Sequence, residues 1–266
     1  MTPLPVSLET SKPLALWLGV AEVVLVREDL LPDGGGKKRR SLQSYIEGLN
    51  KDAKHIHLIS YAGSHTAFTL AQLLPEISIH LYGLQYGGGA YEKTMTRLLN
   101  DRSNIFQLTG SSLAMTRAFN RQRSKQSPGH SFMKIGGSLG PDEHTSQIAK
   151  EVVGSLAPDF QHIMAVASGD LLKSIARHTD YFTGVLTQPL GIRVLKFLSL
   201  KNTRGVSRVS LGKRMRMMKE LKDLTGDLWD PIFMGTVFSY LKGQTKLPSK
   251  LCIWVTCPTG INWIDE

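Results

Sequence analysis

Short apolar runs rich in β-branched residues recur along the chain and alternate with segments of helical period, which is the pattern of parallel sheets flanked by helices. The spacing predicts strands over 22–27, 55–60, 77–82, 105–108, 132–135, 162–167, 181–186 and 251–255. Helices are expected between them, over 39–49, 66–74, 91–99, 111–120, 145–156, 171–177, 213–221 and 231–241. No internal repeat or low-complexity tract breaks the alternation, so the expected fold class is α/β.

With 266 residues, 41% of them hydrophobic and 20% charged, the chain can bury the core of one large domain or two modest ones. No stretch approaches the roughly 20 apolar residues of a membrane-spanning helix. Residues 1–13 lack a basic start followed by a long apolar core, so a cytoplasmic protein with no membrane partner is expected. Cys252 and Cys257 stand five apart, which fits no CxxC metal or redox pattern, and they read as reduced thiols on or beside a late strand. The formal charge of +10 invites a nucleic-acid reading. Against it, the two densest basic runs, 37–40 and 213–219, lack the interleaved aromatic residues that stack on bases. The same field suits an anionic cofactor or substrate equally well.

The run Asp33-Gly34-Gly35-Gly36-Lys37-Lys38-Arg39-Arg40-Ser41 has the look of a phosphate loop. That motif requires Gly, four residues, then Gly-Lys-Ser/Thr, whereas here Leu31 stands five before Gly36 and Lys37 is followed by Lys38. No G-x-G-x-x-G follows a strand, which removes the nicotinamide fingerprint as well. What remains is a lysine behind a glycine loop, at the head of a helix whose Leu42, Tyr45, Ile46 and Leu49 form one apolar stripe. A lysine whose pKa is lowered by neighbouring positive charge, here Lys37, Arg39 and Arg40, can condense with an aldehyde. The alternative is a solvated basic turn.

Val26-Arg27-Glu28-Asp29-Leu30 followed by Gly36-Lys37-Lys38-Arg39-Arg40-Ser41-Leu42 resembles the K-R-E-D-L and G-N-K-x-R-K-L segments of the pyridoxal-phosphate-dependent 1-aminocyclopropane-1-carboxylate deaminases and D-cysteine desulfhydrases. Framed on Arg40, Leu42 and Tyr45, the resemblance makes Lys38 the Schiff-base lysine; framed on Arg39 and Arg40 it makes it Lys37. Ser60-Tyr61-Ala62-Gly63-Ser64-His65 is similar to the family's strand end and G-x-Q-S-N-H turn with two residues deleted. This puts Ser64 on the active-site serine and His65 on the cofactor-contacting asparagine. Without the family, Ser64 reads as a helix N-cap and His65 as a polar turn residue.

Ile135-Gly136-Gly137-Ser138 resembles the turn that returns the chain from the small domain. Val166-Ala167-Ser168-Gly169-Asp170 resembles the V-A-S-G-S loop that takes the cofactor phosphate, implicating Ser168 and Gly169. Asp170 replaces a small residue there, and a carboxylate opposes a phosphate. Leu228–Gly235 is similar to L-D-P-V-Y-x-G, with Phe233 in place of the tyrosine that works on substrate, and a phenyl ring carries no proton. Pro258-Thr259-Gly260 resembles the turn whose threonine meets the pyridine nitrogen, here Thr259.

The resemblance implies the two-domain, tryptophan synthase beta-like type II fold. Residues 1–50 and 151–266 would form a large domain and 51–150 a small inserted one, with pyridoxal phosphate in the cleft and a homodimer as the assembly. The implied activity is deamination or β-elimination on a small amino acid, with Lys38 as base and Ser64 on the substrate. The shortened stretch between Gly184 and Asp230, Phe233 and Asp170 point to the alternative, a catalytically impaired relative that binds a ligand or partner.

Overall fold

The computed structural model describes residues 4–32, 36–85, 90–133, 143–166, 169–187, 203–204 and 211–257. The chain runs through β1 (Leu8–Thr10), α1 (Lys12–Leu18), β2 (Glu22–Arg27), a 3-10 turn (Glu28–Leu30), α2 (Gly36–Glu47), β3 (His55–Tyr61), α3 (His65–Leu73), β4 (Ser78–Leu84) and α4 (Ala90–Asn100). There follow β5 (Ile105–Gly110), α5 (Ser112–Ser124), β6 (His130–Phe132), α6 (Glu143–Ser155), β7 (Gln161–Val166), α7 (Asp170–Ile175) and β8 (Phe182–Leu186). The last elements are β9 (Thr203–Arg204), α8 (Leu211–Thr225), α9 (Met234–Lys242) and β10 (Lys250–Val255). Two compact units divide at Arg40/Ser41 and Gly140/Pro141, the second being an insertion in the first.

In the first unit six strands lie in the order β1-β2-β10-β7-β8-β9, with only β1 antiparallel to its neighbour. Their period-two alternation feeds two cores. Val23, Leu25, Ile163, Val185, Leu251 and Ile253 face α1, α8 and α9, while Val24, Val26, Met164, Val166, Cys252 and Trp254 face α6 and α7. Strands buried on both faces read as continuous apolar runs, which is why Glu22–Arg27 and Lys250–Val255 stand out in the sequence. The second unit has four parallel strands in the order β5-β4-β3-β6.

Several expected boundaries move for identifiable reasons. The helix expected over 39–49 begins at Gly36 and ends at Glu47, so Lys38 sits inside its first turn. The strand expected over 132–135 is paired over His130–Phe132, where His55 opposes His130 and His57 opposes Phe132. The helix expected from 231 starts at Met234, because Asp230 takes up the backbone N–H groups of Ile232, Phe233 and Met234. β1 and α1 went unpredicted, although α1 carries its own signals: Ser11 Oγ accepts from Leu14 N–H at 3.4 Å, Pro13 stands in the first turn, and Gly19 closes the helix at φ 70°.

Two arginines in this unit are buried and neutralised. Arg40 is 1% exposed and grips both oxygens of Glu28 through Nε (3.2 and 3.0 Å) and Nη2 (2.9 Å), while Nη1 donates to Leu4 O at 2.6 Å. Arg27 donates to Asp29 (2.9–3.2 Å), Glu9 (2.6 Å) and Asp227 (3.1 and 3.2 Å) and lies 5.6 Å from the Trp229 ring. Burial acts to lower the Arg27 pKa, but Asp29 and then Asp227 outweigh it and raise the value. Removing one member of a buried pair strands the other charge. Glu28→Ala should therefore lower the unfolding free energy by about 3–5 kcal/mol, read as a shift of the urea midpoint. Exposed Lys12→Ala should change it by less than about 0.5 kcal/mol.

Candidate functional site

Ligands of parallel α/β sheets bind outside the carboxyl ends of the strands. In the first unit, Val255 pairs with Arg27, Trp254 with Met164 and Val166 with Leu186, so β2, β10, β7 and β8 end along one edge. The first turn of α2 is fastened to that edge twice. Lys37 N–H donates to Thr256 O at 3.0 Å, one residue past β10, and Arg40 holds Glu28, one residue past β2. Lys38 is half-buried on the same turn, about 200° round the helix from Arg40. Lys37, three residues before Arg40, lies on the Arg40 side. The expectation that Arg40 lends positive charge to Lys38 does not hold, because Glu28 cancels that charge.

At the end of β7 the chain turns through Gly169 in the left-handed region, φ 84°, and α7 starts at Asp170. Asp170 is buried, and its carbonyl accepts from Ser174 Oγ at 3.0 Å. A helix N-terminus favours negative charge, and here the chain's own carboxylate takes that position. An amine-linked group fits this edge at the first turn of α2, whereas the buried carboxylate of Asp170 does not suit an anion at the start of α7. Ser168 and Thr259 lie outside the described residues.

Asp230 begins the approach to α9. Its Oδ1 accepts from Ile232 N–H (3.1 Å) and Phe233 N–H (2.5 Å), and its Oδ2 from Met234 N–H (3.1 Å). Burial pushes this carboxyl up to about 6, against the pull of those three N–H groups and Arg214. Arg214 Nη1 donates to Thr236 Oγ1 at 2.7 Å. The segment matched on sequence to a substrate-facing tyrosine thus works structurally as a helix cap, with the half-buried Phe233 inside it. Asp230 and Glu28 were not singled out from sequence. The Asp-Pro step at 230–231 was a usable capping signal for the first; nothing local marks Glu28 as the partner of Arg40.

In the second unit Ser64 and His65 meet at the carboxyl end of β3. Gly63 makes this turn possible: its φ is +74°, and an added Cβ would lie 2.8 Å from Met95 Cβ and 3.2 Å from Glu92 O. Ser64 Oγ accepts from Ala67 N–H at 3.4 Å and donates to Ser60 Oγ at 3.1 Å, so the N-cap reading and a poised hydroxyl coexist. His65 is the half-buried first residue of α3 rather than a turn residue, and its carbonyl accepts from Thr69 Oγ1 at 2.9 Å. Beside this turn Ala62, Gln85, Glu92, Thr96, Gln107 and Thr109 line a cavity of about 360 Å³.

No protein-family profile and no curated protein sequence matches the chain. Solved structures do. One is an ACC deaminase homologue, with 15% identity over 96% of this chain and 90% of that one, and a TM-score of 0.71. The fold is type II, as in the pyridoxal-phosphate enzymes. An L-serine ammonia-lyase from Rhizomucor miehei shares 14% identity over 97% of this chain and 95% of its own, with a TM-score of 0.65. A hydrogen sulfide-producing enzyme from Fusobacterium nucleatum shares 12% over 96% and 94%, at 0.66. These type II neighbours include deaminases, lyases and synthases, and at such identities they speak for the fold.

Gly63→Ala should destabilise the protein by about 1–3 kcal/mol through overpacking and the positive φ. Gly19→Ala, where nothing lies within 4 Å of the added Cβ, should cost about 1 kcal/mol from φ alone. Denaturant unfolding of the pair checks the order.

Proposed function

We propose that this chain is a pyridoxal-phosphate-dependent deaminase or desulfhydrase that acts by elimination or deamination on a small amino acid such as D-cysteine or 1-aminocyclopropane-1-carboxylate. The observation that carries this reading is Lys38 on a helix turn fastened, by Lys37 N–H to Thr256 O and by Arg40 to Glu28, to the edge where ligands of such sheets bind. Lys38 on the side away from Arg40 supports it over Lys37 as the bonding lysine.

When bound, pyridoxal phosphate supplies an aldehyde for the lysine and an electron sink for the substrate. Lys38 would hold it through Nζ and, once displaced by a substrate that carries a Cα proton, such as D-cysteine, would take that proton at the same nitrogen; 1-aminocyclopropane-1-carboxylate has no Cα proton, so there the same amine would serve only the ring-carbon protons. Ser64 would hold the substrate carboxylate through Oγ, next to the N–H groups that open α3, where an anion is favoured. On the sequence resemblance His65 contacts the cofactor, Ser168 and Gly169 its phosphate, and Thr259 its ring nitrogen. We place the protein in the cytoplasm, as a homodimer; among the described residues no helix is long and apolar enough to cross a membrane.

A second reading has its own support. Asp170 buried at the start of α7 and a phenyl ring at Phe233 favour a relative with impaired catalysis that binds a ligand through the same residues.

Purified protein mixed with pyridoxal phosphate should develop a visible absorbance band that Lys38→Ala abolishes and Lys37→Ala keeps. No band in the parent protein ends the proposal. Asp170→Ser should tighten the cofactor about tenfold or more by removing a like charge; unchanged affinity would show that Asp170 does not oppose the phosphate. Ammonia or sulfide released from either amino acid separates the enzyme from the impaired relative.

A further inference from the structure

Every second residue of β3 points to one face of the sheet, so His55, His57 and Ile59 share the face covered by α5. Register then places His57 opposite His80 and Phe132, His80 opposite Phe106, and His55 opposite His130. The rings stack across all four strands. Centroid distances run 5.2 Å from Phe106 to His80, 4.5 Å to His57 and 4.6 Å to Phe132, with interplanar angles of 18°, 10° and 13°. His55 and His130 stack alongside at 4.4 Å.

The four imidazoles also bond to one another. His57 Nε2 lies 2.8 Å from His130 Nδ1, His55 Nδ1 lies 3.1 Å from His80 Nε2, and His57 Nδ1 lies 3.2 Å from the Tyr82 hydroxyl. A hydrogen bond between two ring nitrogens needs one of them bare, so neither pair survives double protonation. No set of three side chains among the described residues can share a metal ion, which leaves these contacts as bonds between imidazoles.

The described elements that carry and cover the array offer no carboxylate to compensate protonation. None of β3, β4, β5, β6 and α5 contains an Asp or Glu. From α5 come the buried Met115 and Phe119, the latter edge-on to Tyr82 at 5.5 Å and Phe132 at 5.7 Å, and the exposed basic residues Arg117, Arg121 and Arg123. Lys125 at its C-terminal cap acts on His130 as a further positive charge, and the neighbouring carboxylates Asp52, Glu76 and Asp101 stand exposed in the turns before β3, β4 and β5.

We propose that the His55–His57–His80–His130 array is a proton-sensitive latch, holding α5 and β6 on the sheet while neutral and loosening this face of the second unit as mild acid favours its opened, protonated form.

Burial, then the positive neighbours, lowers the pKa of His57 to about 3 and lowers those of His80 and His130 below the ordinary histidine value. Folded-state values below the unfolded value of about 6.5 mean that the unfolded chain takes up more protons below that pH. The stabilisation is therefore complete above pH 6.5 and is lost progressively as pH falls toward the folded values. His162 in the first unit, lowered to about 4 by burial and accepting from Trp254 Nε1–H at 3.3 Å, adds a single such group there. The readout must therefore separate the two units.

Hydrogen exchange of the full chain, followed by peptide mass spectrometry at pH 7.5 and 5.5 and corrected for intrinsic rates, provides this separation. The expected result is at least a tenfold greater loss of protection in α5 and β6 than in β2 and β10. His80→Phe, which keeps the stack but cannot be charged, should reduce that differential. In the parent protein, NMR titration should find His57 still neutral at pH 6, and His80 and His130 titrating below the ordinary histidine value. Equal loss of protection in both units, or these three rings titrating near 6.5, overturns the proposal.

Discussion

Everything proposed about chemistry in this protein depends on a buried ion pair that performs none. Arg40, fully inside the protein, holds the carboxylate of Glu28 with three donor contacts of 2.9–3.2 Å. Glu28 follows directly on a strand and Arg40 lies in the first turn of a helix, so the pair sets the start of α2 against the end of β2. Lys37 N–H to Thr256 O repeats the fastening one strand over. A flexible lysine is better positioned when its backbone is fastened, and these two contacts fasten the turn that carries Lys38.

The two units supply different things. The first brings Lys38, Gly169 and Asp170 to the carboxyl edge of its sheet; the second brings Ser64 and His65 to the carboxyl edge of its own. Each turn is built by a local rule: a left-handed glycine at 63 and 169, a hydroxyl cap at 64. The departures are local too. Asp170 begins α7 and Phe233 stands just before α9, so both departures from the resembled motifs leave those helices in place.

Much of the architecture was readable from the chain because doubly buried strands such as Glu22–Arg27 and Lys250–Val255 are apolar apart from their charged end residues, and Ser64 announces its helix. What escaped reading was whatever depends on pairing. The basic run at 37–40 looks solvated in sequence, yet Arg40 is among the most buried residues, because its partner lies twelve positions upstream. β1 is three residues long, too short for periodicity to register. The four histidines are scattered from 55 to 130, and only the register of three strands turns them into a stacked array.

The central claim is that the amine of Lys38, and no other, is presented to an aldehyde cofactor at the sheet edge. Borohydride reduction of the protein after exposure to substoichiometric pyridoxal phosphate, followed by peptide mass mapping, tests it most directly. A single pyridoxyl adduct on Lys38 is expected. Adducts confined to Lys37, or spread over the exposed surface lysines, would contradict it.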